Sequence, residues 1–216
     1  MKEIKGWAMP DNDMHFEIYL LQYPGTTYQQ LTIDASYNFV KKFNTVIDVG
    51  GNVGLHTVRF AQKFKHVHSF EPVTSNFKCL EENCKSFTNI VLHNYGLGSC
   101  NEETVISLPA SSDNCGNYSI VDFQSNSDEL IKEEIQIIKL DDLQLEADLI
   151  KIDTQGFEFP VLQGAIKTIE RCKPVIILEA EFKIQFDILS SFLTDLGYIP
   201  ATKIKRDYIW VHEDNK

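Results

Sequence analysis

The chain has 216 residues, 43% hydrophobic and 24% charged, with a formal charge of −11 at pH 7, which suits one globular domain with a large core and leaves too little chain for two. That acidic balance, with no clustered Lys/Arg run, argues against a nucleic-acid backbone or an anionic membrane as the main partner and favours a neutral or cationic substrate. The five cysteines contain no C-x-x-C, which excludes an obvious disulfide framework or zinc site, and the absence of a signal-like start or a bilayer-length apolar run leads us to expect a cytoplasmic protein.

In chain order, residues 1–45 are expected to form an arm and a leading helix packed on a core of residues 46–216. Met1 to Pro24 carries Trp7, His15 and Phe16 beside the turn residues Pro10 to Asp13. So aromatic a leader should dock on the domain, either over a ligand site or as a plain arm. Leu31, Ala35, Phe39, Val40 and Phe43 recur at helical steps and predict one helix over Tyr28–Phe43. Val46 to Gly54 then gives strand, glycine turn and the start of a helix, a pattern in which main-chain N–H groups can cradle a ligand. About twenty residues beyond the turn, His66 to Pro72 predicts a second strand ending on Glu71, whose carboxylate suits the hydroxyls of an adenosine ribose. A helix capped by Thr74 or Ser75 should follow, then a strand at Asn89–His93 and a turn where Tyr95 and Gly96 could touch an adenine ring.

Residues 99–135 break the alternation as a polar insertion. Short strands are expected around Val105–Leu108 and from Glu134 to Leu140, with the polar loop Ser111–Ser119 forming part of an acceptor wall. Ala147 to Asp153 is a buried-type strand ending in an acid. Pro160 fits the first turn of the helix after it, whose Val161, Leu162, Ala165, Ile166 and Ile169 should face inward. Lys173 to Glu181 is a further strand, Phe186 to Leu196 a helix stopped by Gly197, and Tyr198–Ile204 with Asp207–Val211 an antiparallel pair. Such alternation predicts an α/β domain with a mostly parallel sheet covered on both faces and ligands at the carboxyl ends of its strands. Asp48, Glu71, Asp153 and Glu179 all fall on that edge.

Asp48 decides the cofactor expected from the residues. A carboxylate just before the glycines would repel a pyrophosphate, and Gly50-Gly51-Asn52-Val53-Gly54 departs from G-x-G-x-x-G. S-adenosylmethionine, cationic and free of phosphate, suits the site better.

With these elements placed, the chain resembles the FkbM-type methyltransferases, a branch of the S-adenosylmethionine-dependent class I fold. The likeness rests on Val46 to Gly54, Phe70-Glu71-Pro72, Leu80 with Asn83, Asp148 to Asp153 with Gly156-Phe157-Glu158, Val161 to Ala165, Lys173-Pro174, Leu178-Glu179 and Leu196-Gly197-Tyr198. The Gly6–Phe16 leader is similar to those of viral and phage members, which would place the protein in a host cytoplasm. Gly51 stands where alanine is usual, expected to be harmless. Gln155 stands where an acid is usual, removing one base or metal ligand.

The resemblance implies a single Rossmann-like domain with a seven-stranded, mostly parallel sheet and an antiparallel C-terminal hairpin. It implies O-methylation of a hydroxyl on a sugar, glycan or small natural-product-like acceptor. Asp48, Gly50, Gly51, Asn52, Gly54, Glu71, Pro72, Tyr95, Gly96 and Asp153 are the expected cofactor residues. Asp153 is the expected base, with Glu158 and Glu179 as orienting groups. Asp153, Glu158, Glu179 and Glu181 offer hard oxygen ligands, but their spacing specifies no metal. S-adenosylhomocysteine would be the product. The alternatives are a NAD-linked oxidoreductase and a non-catalytic methyltransferase-fold binding module; the sequence does not fix the oligomeric state.

Overall fold

A computed structural model describes residues 1–23, 28–109, 114, 130–180 and 182–215. The chain opens with a hairpin of β1 (Lys2–Ile4) and β2 (Trp7–Met9), then α1 (His15–Gln22) and α2 (Gln30–Tyr37). The core begins with β3 (Thr45–Val49), α3 (Leu55–Ala61), β4 (His66–Phe70), α4 (Thr74–Cys84) and β5 (Ile90–His93). Next come β6 (Gly96–Leu97), β7 (Glu102–Pro109), β8 (Leu130–Ile138), α5 (Leu140–Leu143) and β9 (Leu149–Ile152). The chain continues through α6 (Glu158–Gln163), α7 (Ile166–Cys172), β10 (Val175–Glu179), α8 (Lys183–Asp195), β11 (Tyr198–Ile204) and β12 (Asp207–His212).

Seven strands form the main sheet in the order β11-β12-β10-β9-β3-β4-β5. The pairs from β10 through β9, β3 and β4 to β5 are parallel, and β12 runs antiparallel to both neighbours. Every residue of β3 and β9 is buried, as expected of strands covered on both faces. Their side chains alternate between two cores. Ile47, Val49, Ile150, Ile152, Ile176 and Leu178 pack with Leu162, Ile169, Leu189 and Leu193 on one face. Val46, Leu149, Val175 and Ile177 pack with Ile33, Phe60 and Phe64 on the other. Asp48 and Lys151 are register partners on this second face. Because the order turns back at β3, a crevice opens between the carboxyl ends of β3 and β9.

Four expectations change. The helix over Tyr28–Phe43 is confined to α2, because Asn38 and Phe39 turn their N–H groups back to Ala35 and Ser36. The helix after Pro160 is two, α6 and α7, broken at Gly164, where any Cβ would collide with the Gly98 carbonyl. Neither Thr74 nor Ser75 caps α4: its first N–H groups go to Glu71 Oε1 (from Val73, 2.9 Å) and Glu133 Oε1 (from Thr74, 2.9 Å). Within the insertion, β7 and β8 make a longer antiparallel ribbon than expected, and Ile106, Ile135 and Ile137 pack on Val73. The loop Ser111–Ser119, apart from Asn114, and Glu181 lie outside the described residues.

The leader docks as a hairpin that the sequence did not announce. Lys5 and Gly6 both take positive φ, 53° and 83°, as a two-residue turn requires. Asn83 of α4 holds Ala8 by both main-chain groups, accepting from its N–H at 2.7 Å and donating to its carbonyl at 2.9 Å. Ala8, Met9 and Phe16 share a small core with Val53 and Cys79.

Candidate active site

The glycine turn is set by close packing. Gly50 has φ +80°, and a Cβ there would strike the Asp153 carbonyl, so the β3 and β9 loops touch only because position 50 has no side chain. Gly50 and Gly51 both donate to the Phe70 carbonyl at 2.9 Å. A Cβ on Gly51 would collide with Ser69 Oγ, which contacts Thr57 Oγ1 at 2.9 Å in the buried interior. Glycine is thus accommodated at this position, as expected, whereas the alanine usual in the family would have no room beside Ser69.

Glu71 closes the other side. Its Oε2 accepts from Asn52 N–H and its Oε1 from Val73 N–H, both at 2.9 Å, so one carboxylate ties the glycine turn to the start of α4. It is 5% exposed. Burial pushes its carboxyl up to about 7, against the opposing pull of the bonds from Val73, Asn52 and Asn76. Glu71 nonetheless lines the cleft.

Together the glycine turn and Glu71 border a cleft that is partly open to solvent. One end is apolar, walled by Phe70, Pro72, Val73, Gly96, Leu97, Ile106, Ile135 and Ile137. The other gathers His15, Phe16, Tyr28, His56, Lys151, Asp153, Thr154 and Gln155. At this second end Lys151, 3% exposed, stands 3.5 Å from Asp48 Oδ1 and 3.5 Å from Asp153 Oδ2. Burial alone would lower its pKa, but the carboxylates of Asp153, Asp48 and Asp207 raise it, so the ammonium stays charged. Asp153 is gripped on its other oxygen by Gln155, whose Nε2 donates at 3.0 Å. The amide where an acid was expected thus aims Asp153 rather than repelling it.

Among the expected site residues, Gly50, Gly51, Asn52, Glu71, Pro72, Gly96 and Asp153 line the cleft together. Asp48 lies beneath it, fully buried, taking a 2.7 Å bond from Thr57 Oγ1 beside Lys151. Burial raises its carboxyl above the ordinary range against the pull of Lys151 and Thr57, and it is not among the residues that line the cleft. Gly54, at φ +95°, is packed against Leu80 and Cys84. Tyr95 stands behind the cleft wall, its ring 5.6 Å from Phe70 and its hydroxyl 3.0 Å from His93 Nδ1. Glu158 is buried and accepts from Thr154 N–H, Gly156 N–H and Gln185 Nε2 at 3.1, 3.1 and 2.8 Å, pinning the loop that carries Asp153. Glu179 is half-buried behind that loop, and burial, then Asp153, Asp207 and Glu158, push it up to about 7.

Sequence reasoning assigned no role to Lys151 or Tyr28 and set His56 aside as a lone histidine beside a turn. Lys151 had one signal, a lone charge in the apolar run of β9, and His56 had its place just after the glycine turn; Tyr28 had none in its spacing. Tyr28 lines the cleft beside His56, and its hydroxyl is pushed up to about 12, by burial first and then by Asp153. Among the described residues no group of three or more His, Cys, Asp or Glu side chains could hold a metal, and no helix is long and apolar enough to cross a membrane.

Five parallel strands, the antiparallel β12 and a glycine cradle at the sheet's switch point define a Rossmann-like class I methyltransferase fold. Residues 48–200 match the Methyltransferase FkbM domain, and the chain belongs to that family. A search of curated proteins found no match. Among solved structures, methyltransferase FkbM from Methylobacillus flagellatus KT superposes with a TM-score of 0.54 at 19% identity, over 77% of this chain and 42% of that one. The chain thus spans less than half of that protein. A Pyrococcus horikoshii protein, whose description proposes an RNA methyltransferase, gives 0.54 at 14% identity over 97% and 94% of the two chains. A Streptococcus mutans protein solved in complex with SAH gives 0.51 at 13% identity over 83% and 95%.

Proposed function

We propose that this chain is an S-adenosylmethionine-dependent O-methyltransferase acting on a hydroxyl of a sugar, glycan or small natural-product-like acceptor. The observation that carries the cofactor assignment is the polarity of the cleft. Asn52 Oδ1 and His56 Nδ1 find no hydrogen-bond partner among the described residues, and Glu71 and Asp153 add carboxylate acceptors. Lys151 is the one Lys or Arg among the described lining residues, and two carboxylates already hold it. Such a surface suits a ligand rich in N–H and O–H donors and positive charge, and a pyrophosphate would meet it with unpaired negative charge. This favours S-adenosylmethionine over a nicotinamide dinucleotide on grounds that no longer depend on Asp48. The SAH complex of the Streptococcus mutans protein supports the same choice.

When bound, the cofactor supplies an electrophilic methyl group on a sulfonium. Glu71 would take the ribose hydroxyls, while Pro72, Leu97 and Ile137 cover the adenine and the Gly50–Asn52 turn admits the ligand against main chain. Asp153, aimed by Gln155 and Lys151, would accept the acceptor's proton as the hydroxyl attacks. Glu158 holds the Asp153 loop in place, with Glu179 behind it, so that most of the rate comes from alignment.

Calorimetric titration with S-adenosylhomocysteine and with NAD tests the cofactor. Binding of the first and none of the second is the expected result; the reverse would sink the proposal. Methyl transfer to a panel of glycans and hydroxylated small molecules then separates an enzyme from a binding module of the same fold.

A further inference from the structure

We infer that His56 is a ligand-binding residue of the cleft, a neutral imidazole whose bare Nδ1 accepts a hydrogen bond from an N–H or O–H donor on the bound molecule. His56 stands in the first turn of α3, directly after the glycine turn, and is 7% exposed. Its Nε2 lies 3.0 Å from Gln29 Oε1. An amide oxygen can only accept, so Nε2 carries the proton and Nδ1 is left as a lone pair. That atom is buried, has no partner among the described residues, and belongs to a side chain lining the cleft. A buried acceptor without a donor is a costly arrangement to keep unless something arrives to satisfy it.

The surroundings hold the ring in this state. Gln29 takes φ +48°, a left-handed conformation rarely adopted by a side-chain-bearing residue, at the residue that fixes the tautomer. Tyr28 packs against the imidazole at 5.7 Å between ring centroids, and Phe60 lies behind it at 6.3 Å. Burial, with Lys151 and Arg59 nearby, keeps the ring from protonating, so the lone pair persists at neutral pH.

This assignment rests on the methyltransferase function proposed above, where two donors could serve: the ammonium of the cofactor's amino-acid tail and a hydroxyl of the acceptor. The test is the ¹⁵N side-chain spectrum of His56 in the full chain, identified by its loss in His56→Phe. Spectra are recorded free, with S-adenosylhomocysteine, with 5′-methylthioadenosine, which lacks the tail, and with S-adenosylhomocysteine plus methyl α-D-glucopyranoside. The expected result is an unprotonated Nδ1 in the free protein that shifts toward a hydrogen-bonded value on ligand addition. A shift with S-adenosylhomocysteine but not methylthioadenosine assigns the ammonium, and affinity for the former should then fall about tenfold in His56→Phe, as for one hydrogen bond. A shift only when the glycoside is added assigns an acceptor hydroxyl. A protonated Nδ1 in the free protein, or no shift in any arm while calorimetry reports S-adenosylhomocysteine bound, overturns the role of His56 alone. Failure of S-adenosylhomocysteine to bind at all overturns the methyltransferase function and this role with it.

Discussion

At Gly51 and Ser69 two positions divide one small volume. The hydroxyl of Ser69 occupies the space that a Cβ at 51 would need, and it is held there by Thr57. Gly51→Ala should therefore destabilise the fold by about 1–3 kcal/mol, the usual cost of overpacking. Adding Ser69→Ala removes the colliding oxygen and should recover most of that loss. Urea denaturation of the two single variants and the double variant measures the coupling, and strict additivity would refute the shared-volume account. Glu71→Ala removes the proposed ribose contact and should weaken S-adenosylhomocysteine by about 1.5–3 kcal/mol, as for hydrogen bonds to a charged group. Unchanged affinity by calorimetry would take Glu71 out of the site. Asp153→Asn, still able to accept from Lys151, should bind S-adenosylhomocysteine near normally yet transfer no methyl group once an acceptor is found. A fully active variant would end its role as base.

At the scale of elements, patterning and punctuation were legible to different degrees. The buried strands β3, β9 and β10 were plain because short, mostly apolar runs with an acid at or just after the carboxyl end have few alternative meanings. The end of α8 was equally plain, since Gly197 takes the positive φ, 79°, of a helix stop. The break between α6 and α7 was hidden, because Gly164 owes its identity to the Gly98 carbonyl, far away in sequence. The α4 cap was misassigned for the same reason: Glu71 and Glu133 reach its N–H groups from other elements, and nearby Thr and Ser could not reveal that. Gly164→Ala should consequently cost about 1–3 kcal/mol or more, since main chain cannot step aside as a side-chain tip can. A thermal melt within a degree or so of the parent would contradict the contact.

For the whole molecule, the acids at the strand ends make stability depend on pH in an unusual direction. Glu71 and Glu179 are both raised from an ordinary 4.5 to about 7, chiefly by burial. Across that interval the folded chain binds more protons than the unfolded one, so unfolding releases protons and stability falls as pH rises, levelling off above the folded pKa. Urea midpoints should therefore be higher near about pH 5 than near about pH 8 as far as these two groups decide the balance. A midpoint that rises over this range would show that their burial is relieved. The site itself was legible where main chain makes it, at Gly50 to Asn52 and Glu71, and obscure where distant side chains do. Asp48 looked like a ligand-facing acid because its partner Lys151 comes from a strand about a hundred residues away.

The clasp at Asn83 has a consequence for how such a protein can diversify. Its amide grips the peptide groups of Ala8 and Val53, not any side chain of the leader. Leaders of very different sequence could be fastened to the same helix in the same way. His15, Phe16 and Tyr28 lie before residue 48, where the family match begins, yet they stand in the wall of the cleft. Exchanging one N-terminal segment for another would then redecorate the entrance while the strands and the glycine turn beneath stay as they are.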